Sequence, residues 1–86
     1  MDKKQLVKQL NDLAEEEDNP FKKRAYNNAG KIIAGMGEEE FIKRDNFKDI
    51  DGIGDAINKK IHQFKETGFI EKWEKLFDAS GGSEPF

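Results

Sequence analysis

The sequence predicts an all-α fold, a small bundle of four to five short helices forming one domain over residues 1–78, on three observations. Apolar residues recur at helical spacing in separate windows, among them Leu6, Leu10, Leu13 and Ala14, and later Ile57, Ile61 and Phe64. Helix start and stop signals fall between those windows, with Asn19-Pro20 at a start and Thr67-Gly68 at a stop. The chain has 86 residues and no cysteine, so a single hydrophobic core must supply its stability.

The first helix is expected from about Lys3 to Glu16, with Asp2 as N-cap and Gln5 three residues on in a capping-box pattern. Leu6, Leu10, Leu13 and Ala14 line one face of it. The second helix starts at Asn19-Pro20, with Asn as the cap and Pro in the first helical position, and Gly35 and Gly37 end it. Phe21, Ala25, Ala29, Ile32 and Ile33 make its expected buried stripe. Glu38 to Arg44 reads as a connecting segment with a helical turn, and Phe41 and Ile42 as plugs for the core. Phe47 to Ile50 reads as a short helix, followed by Gly52-Ile53-Gly54 and a longer helix from Asp55 to about Glu66. A last helix carries Phe69, Ile70, Trp73, Leu76 and Phe77 at helical spacing, which makes these aromatics a packed stripe with Trp73 in the core. Residues 79–86 show no periodicity and read as a flexible tail or the stub of a linker.

Composition narrows the function. The single His62 and the lack of cysteine leave no thiolate zinc site and no histidine metal cluster. No apolar run is long enough to span a membrane and no apolar signal core follows Asp2-Lys3-Lys4, so a soluble intracellular protein is expected. The net charge of −3 opposes nucleic-acid binding unless the charges are segregated. The sequence does separate them: Glu15 to Asp18 and Glu38 to Glu40 are acidic blocks, Lys22, Lys23, Arg24 and Lys31 lie together, and Lys59, Lys60, Lys65, Lys72 and Lys75 lie towards the carboxyl end.

The stretch Phe47 to Ile61, FKDIDGIGDAINKKI, carries the chemistry. Two glycines let the chain turn tightly and approach a ligand without a Cβ in the way. The unpaired N–H groups of the helix beginning at Asp55 face the same spot, which suits a phosphate oxygen. Ile50 and Ile53 would pin the turn to the core while Gly52, Ile53, Gly54, Asp55 and Ala56 present backbone amides. The arrangement resembles a helix-hairpin-helix, a clamp for the DNA backbone.

With that motif in place, the chain from Leu6 to Leu76 resembles the amino-terminal lyase-type domain of family X DNA polymerases, as found in DNA polymerase beta. The resemblance rests on NPFKKRAYNNAGKII at Asn19 to Ile33 and on DIDGIGDAINKKIHQFKETGFIEKWEKL at Asp49 to Leu76. It implies binding to gapped, nicked or single-stranded DNA, and a Schiff-base lysine at Lys60. Tyr26 and Lys72 fall where the family lines its lyase pocket, and Lys22 falls where a basic residue meets the 5′-phosphate. Phe21 stands where the family has a base-stacking histidine, and Lys59 adds a second cation beside Lys60. Lys60 lies within a turn of Ile57, Ile61 and Phe64, so its stem is expected along the edge of the apolar stripe. Partial desolvation and the neighbouring charge of Lys59 would favour the free amine that attacks an aldehyde.

Ala56 replaces a phosphate-binding lysine of the beta enzyme, and Asp55 sets a carboxylate beside the proposed phosphate site. Asp51 replaces a proline, adding another negative charge. The resemblance also implies that backbone carbonyls of Lys48, Ile50 and Ile53 can hold K+ or Na+, which would offset Asp51; no cofactor is required. Three functions fit: a DNA-clamping repair module that reads no sequence, a 5′-deoxyribose-phosphate lyase acting through Lys60, and a protein-interaction domain that has lost DNA binding. Polymerase activity is excluded, since the chain has no paired-Asp motif or nucleotide-binding loops. A polymerase or other repair domain on a longer chain is the implied partner.

Overall fold

The computed structural model describes residues 3–77. Asp2 as a cap and the expected tail at residues 79–86 lie outside them. Five helices follow in order: α1 Lys3–Glu16, α2 Pro20–Gly35, α3 Glu38–Lys43, α4 Asp55–Thr67 and α5 Glu71–Phe77. No strand occurs among the described residues, so the all-α expectation holds.

Helices α1 and α2 form an antiparallel pair that carries the most extensive packing, with α5 against α1 and α4 against α2. Lys3 at the start of α1 donates to the carbonyls of Ala34 and Met36 at the far end of α2. Lys23 near the start of α2 donates to Ala14 O at 3.0 Å near the end of α1. Each lysine thus meets orphan carbonyls at a helix C-terminus, where a cation is favoured. Leu6, Leu10, Leu13 and Ala14 are all buried, as their spacing requires. Asn19 caps α2 as expected, its Oδ1 accepting from Phe21 N at 2.9 Å and Lys22 N at 3.3 Å.

The buried face of α2 is rotated from the expected one. Tyr26, Ala29, Gly30 and Ile33 are buried, whereas Ala25 and Ile32 are only partly covered. Phe21 is 79% exposed. It stands in the first turn of α2, right after the connection from α1. The segment after α2 forms the short helix α3. Phe41 is buried there, but Ile42 is 63% exposed. Neighbouring residues on a helix point about 100° apart, and a helix this short has one core face for one of the two.

Gly68 closes α4 in the left-handed conformation, with φ 94° and its N–H donating to Phe64 O. Ile70 is fully buried, but Trp73 is only partly covered and Phe69 is 38% exposed. Trp73 is held by a polar contact as well as packing: its Nε1 donates to Asp12 Oδ2 at 2.9 Å. Partial desolvation pushes the Asp12 carboxyl up, but hydrogen bonds from Trp73 and Lys8 outweigh it and leave the group below its ordinary value. A buried glutamine does the rest. Gln9 Oε1 accepts from Ile70 N at 2.7 Å, and its Nε2 donates to Gly68 O at 3.4 Å, tying the α4–α5 corner to α1.

Candidate nucleic-acid interface

Phe47 to Ile50 does not form the helix expected of it. The segment makes two successive turns, Ile50 N donating to Phe47 O at 3.2 Å and Ile53 N to Ile50 O at 3.1 Å. Four residues cannot offset the cost of nucleating a helix, and side chains take over the backbone groups instead. Asn58 Oδ1, on α4, accepts from Phe47 N at 2.9 Å, and Asn46 Oδ1 accepts from Lys48 N at 2.9 Å. Phe47 and Ile53 are buried and Ile50 packs on the core, so the turn is anchored as its isoleucines suggested.

The two glycines have different jobs. Gly52 has φ +99°, a conformation that strains any residue with a Cβ. Gly54, the N-cap of α4, has φ −95° and ψ −175°, which any residue can adopt. A Cβ built on it would meet no heavy atom within 4 Å. No side-chain hydrogen bond caps α4 at this residue, so the N–H groups of its first turn receive no acceptor from it.

The carboxylate of Asp55 is less of an obstacle than the sequence suggested. Lys48 Nζ lies 2.7 Å from Asp55 Oδ1, an ion pair that spans the hairpin from one side to the other. The hydrogen bond from Lys48, and then its charge, hold the Asp55 carboxyl below its ordinary value.

Helices α2, α4 and α5 meet beside this turn around a cavity of about 160 Å³. Lys22, Ala25, Tyr26, Ala56, Ile57, Lys60 and Lys72 line it. A second cavity of about 350 Å³ shares Ala56, Lys60 and Lys72 and adds Lys59, Gln63, Glu71 and Lys75. Ala56 in the first turn of α4 therefore joins the hairpin to both cavities. Tyr26 is only 4% exposed. The ammonium groups of Lys60 and Lys72 lie 5.9 Å and 5.8 Å from its ring centroid. Lys72 also donates to the Tyr26 hydroxyl at 3.4 Å. The three residues expected at a lyase site are thus brought together from three helices, with Lys22 and Lys59 alongside. Exposed Phe21 lies next to Lys22 at the start of α2.

Not every lysine of the expected clusters joins this face. Lys65 donates to the carbonyls of Phe41 at 3.0 Å and Ile42 at 3.2 Å, and to that of Arg44, at the end of α3. Its ammonium lies 5.4 Å from the ring centroids of both Phe41 and Phe47. Lys23 is likewise committed to α1, and Arg24 and Lys31 line neither cavity. A residue the sequence reading missed is Glu17, which contacts Lys72 at 3.7 Å. In the sequence it is one residue of the acidic block Glu15 to Asp18, and nothing local singles it out.

Among the described residues no cluster of His, Cys, Asp or Glu could hold a metal, and no helix is long and apolar enough to cross a membrane. A family profile described as a helix-hairpin-helix domain matches residues 1–70, which takes in α1 to α4 and the glycine turn. No curated protein and no solved structure matches the chain.

Proposed function

The chain belongs to the helix-hairpin-helix domain family, and we propose that it is a DNA-repair module clamping backbone phosphate at gapped, nicked or 5′-phosphate ends. Domains of this family commonly bind DNA without sequence preference. One observation carries the finer reading: the open N-terminal amides of α4 and the ammonium groups of Lys22, Lys60 and Lys72 converge through Ala56 on one face. Amides and lysines grip phosphate, and nothing there is shaped to read base edges. This concentration on one face is how a chain of net charge −3 can still bind DNA. Kinship with the lyase-type domain of family X polymerases is part of this proposal, with a polymerase or another repair domain as the partner.

A specific observation favours a second reading, a 5′-deoxyribose-phosphate lyase. The ammonium groups of Lys60 and Lys72 both approach the ring of buried Tyr26, at 5.9 Å and 5.8 Å, which sets an amine nucleophile beside a second cation able to hold a sugar phosphate. Lys60 would attack C1′ of an abasic sugar to form an imine with loss of water, and β-elimination would then release the phosphate. Lys72 and the Tyr26 hydroxyl would orient the sugar phosphate. K+ or Na+ on the carbonyls of Lys48, Ile50 and Ile53 fits the turn in one respect. The Ile50 oxygen accepts from Ile53 N and keeps a second lone pair.

Fluorescence anisotropy on two gapped duplexes of unrelated sequence tests the first reading. Equal affinities that fall as salt rises are expected, with Gly54→Ala weakening both because a methyl group enters the open space above the amides. Absence of binding at low salt would overturn it. Borohydride trapping on an incised abasic-site duplex tests the second, with a covalent band expected from the unmodified protein.

A further inference from the structure

Lys72 is the one pocket lysine for which the structure shows two partners at once, and neither contact is short. Its ammonium reaches the Tyr26 hydroxyl at 3.4 Å and Glu17 Oε1 at 3.7 Å. The Lys48–Asp55 pair on the same face closes to 2.7 Å. An ammonium has three N–H donors, so Lys72 has room for a better acceptor than either.

Glu17 is an unusual surface carboxylate. It lies on the connection between α1 and α2, and its side chain is only 15% exposed. Its Oε2 accepts from Asn19 N at 3.1 Å, while Oε1 turns to Lys72. The hydrogen bond from Asn19 N–H, and then the charges of Lys72 and Lys22, hold this carboxyl below its ordinary value although partial desolvation opposes them. A backbone N–H and two lysines around one anion are the groups that would otherwise meet a phosphate.

We propose that Glu17, which lines neither cavity but contacts Lys72, holds Lys72 beside Tyr26 in the free protein and yields it to a terminal phosphate monoester when DNA binds. The inference rests on the DNA-end reading above and adds the residue that sets its affinity. A terminal phosphate carries between one and two negative charges near neutral pH, so it outbids a single carboxylate for Lys72. A cavity of about 160 Å³ walled by buried Tyr26 suits the end of a strand better than a phosphodiester with chain leaving on both sides. Glu17 can let go of Lys72 without losing Asn19 N–H, so the exchange leaves the cap of α2 in place.

The test is Glu17→Gln, which keeps an acceptor for Asn19 N–H and removes only the charge. Anisotropy is read on gapped duplexes that differ only in carrying a 5′-phosphate or a 5′-hydroxyl at the gap. The variant is expected to bind the phosphorylated duplex about three- to five-fold more tightly, the size of one partly screened ion pair, and the hydroxyl duplex as the unmodified protein does. In a Lys72→Gln background the same substitution is expected to give no gain. Titration of inorganic phosphate into the free protein, followed by NMR at Tyr26, should saturate at lower concentration in the variant. Unchanged affinity for the phosphorylated duplex, equal tightening on both duplexes, or a gain that survives Lys72→Gln would each overturn the inference and leave the DNA-clamp reading standing. Failure of both proteins to bind either duplex would remove that reading, and the inference with it.

Discussion

Lysines on opposite sides of α4 do opposite things. On the α3 side, Lys65 is surrounded by three backbone carbonyls and two aromatic rings. On the α2–α5 side, Lys60 and Lys72 lie 5.9 Å and 5.8 Å from the Tyr26 ring centroid and line open cavities shared with Lys22 and Lys59. The first cation is satisfied by the chain itself, and it fastens α3 to α4. The others stand in a concave, lysine-rich space that an anion would stabilise. Residue type and local sequence are much alike on the two sides. The difference lies in whether folding brings orphan carbonyls within reach of the ammonium.

That contrast can be broken, and the largest effect is expected on the pocket side. Lys60→Ala should abolish the covalent band in borohydride trapping and lower the thermal midpoint only slightly, because it loses the contact with the Tyr26 ring and no helix cap. A band that survives would assign the chemistry to another amine. On the opposite side, Lys65→Met should cost about 2 kcal/mol in urea unfolding, the scale of hydrogen bonds to a charged group, with DNA affinity unchanged. Affinity that falls with it would place Lys65 on the binding face after all.

The glycines give a smaller and equally divided effect. Gly52→Ala should destabilise the fold by about 1 to 2 kcal/mol, since it forces a Cβ into the left-handed region. Gly54→Ala should leave stability unchanged and lower DNA affinity. Equal stability losses in both would make the turn a purely structural device. The smallest effect concerns Asp12, whose folded carboxyl lies below its ordinary value. A depressed carboxylate contributes fully above about pH 3.9 and loses its contribution as pH falls through the lower folded value. Trp73 emission should therefore change below about pH 4, and Asp12→Asn should remove that part of the transition.

Much of the fold was legible because its signals are local. Asn19-Pro20 starts α2, Gly68 ends α4, and the leucines of α1 are buried at the spacing they show. Gln9 was missed although it sits among Leu6, Leu10 and Leu13 on the apolar face; a polar residue there needs partners, and Gly68 and Ile70 supply them. The candidate site was legible in its backbone. Gly52-Ile53-Gly54 marked the turn, and Tyr26, Lys60 and Lys72 did converge. Phe21 and Ile42 are exposed where their apolar character suggested core, because that character alone does not say which face a neighbouring helix covers, whereas Trp73 packs against the core as expected.

The sequence by itself determined where most helices begin and stop, and that a glycine turn precedes the helix starting at Asp55. These depend on residues within a turn or two of one another. Only the tertiary structure decided which lysines cap helices and which line the pocket, which carboxylate pairs with Lys48 and which with Lys72, and that Phe47 to Ile50 is a turn. Lys65 meets its carbonyls across more than 20 positions and Lys72 meets Tyr26 across 46. A lysine side chain is long and can rotate about four bonds, so its partner is fixed by the packing around it, which local spacing does not encode.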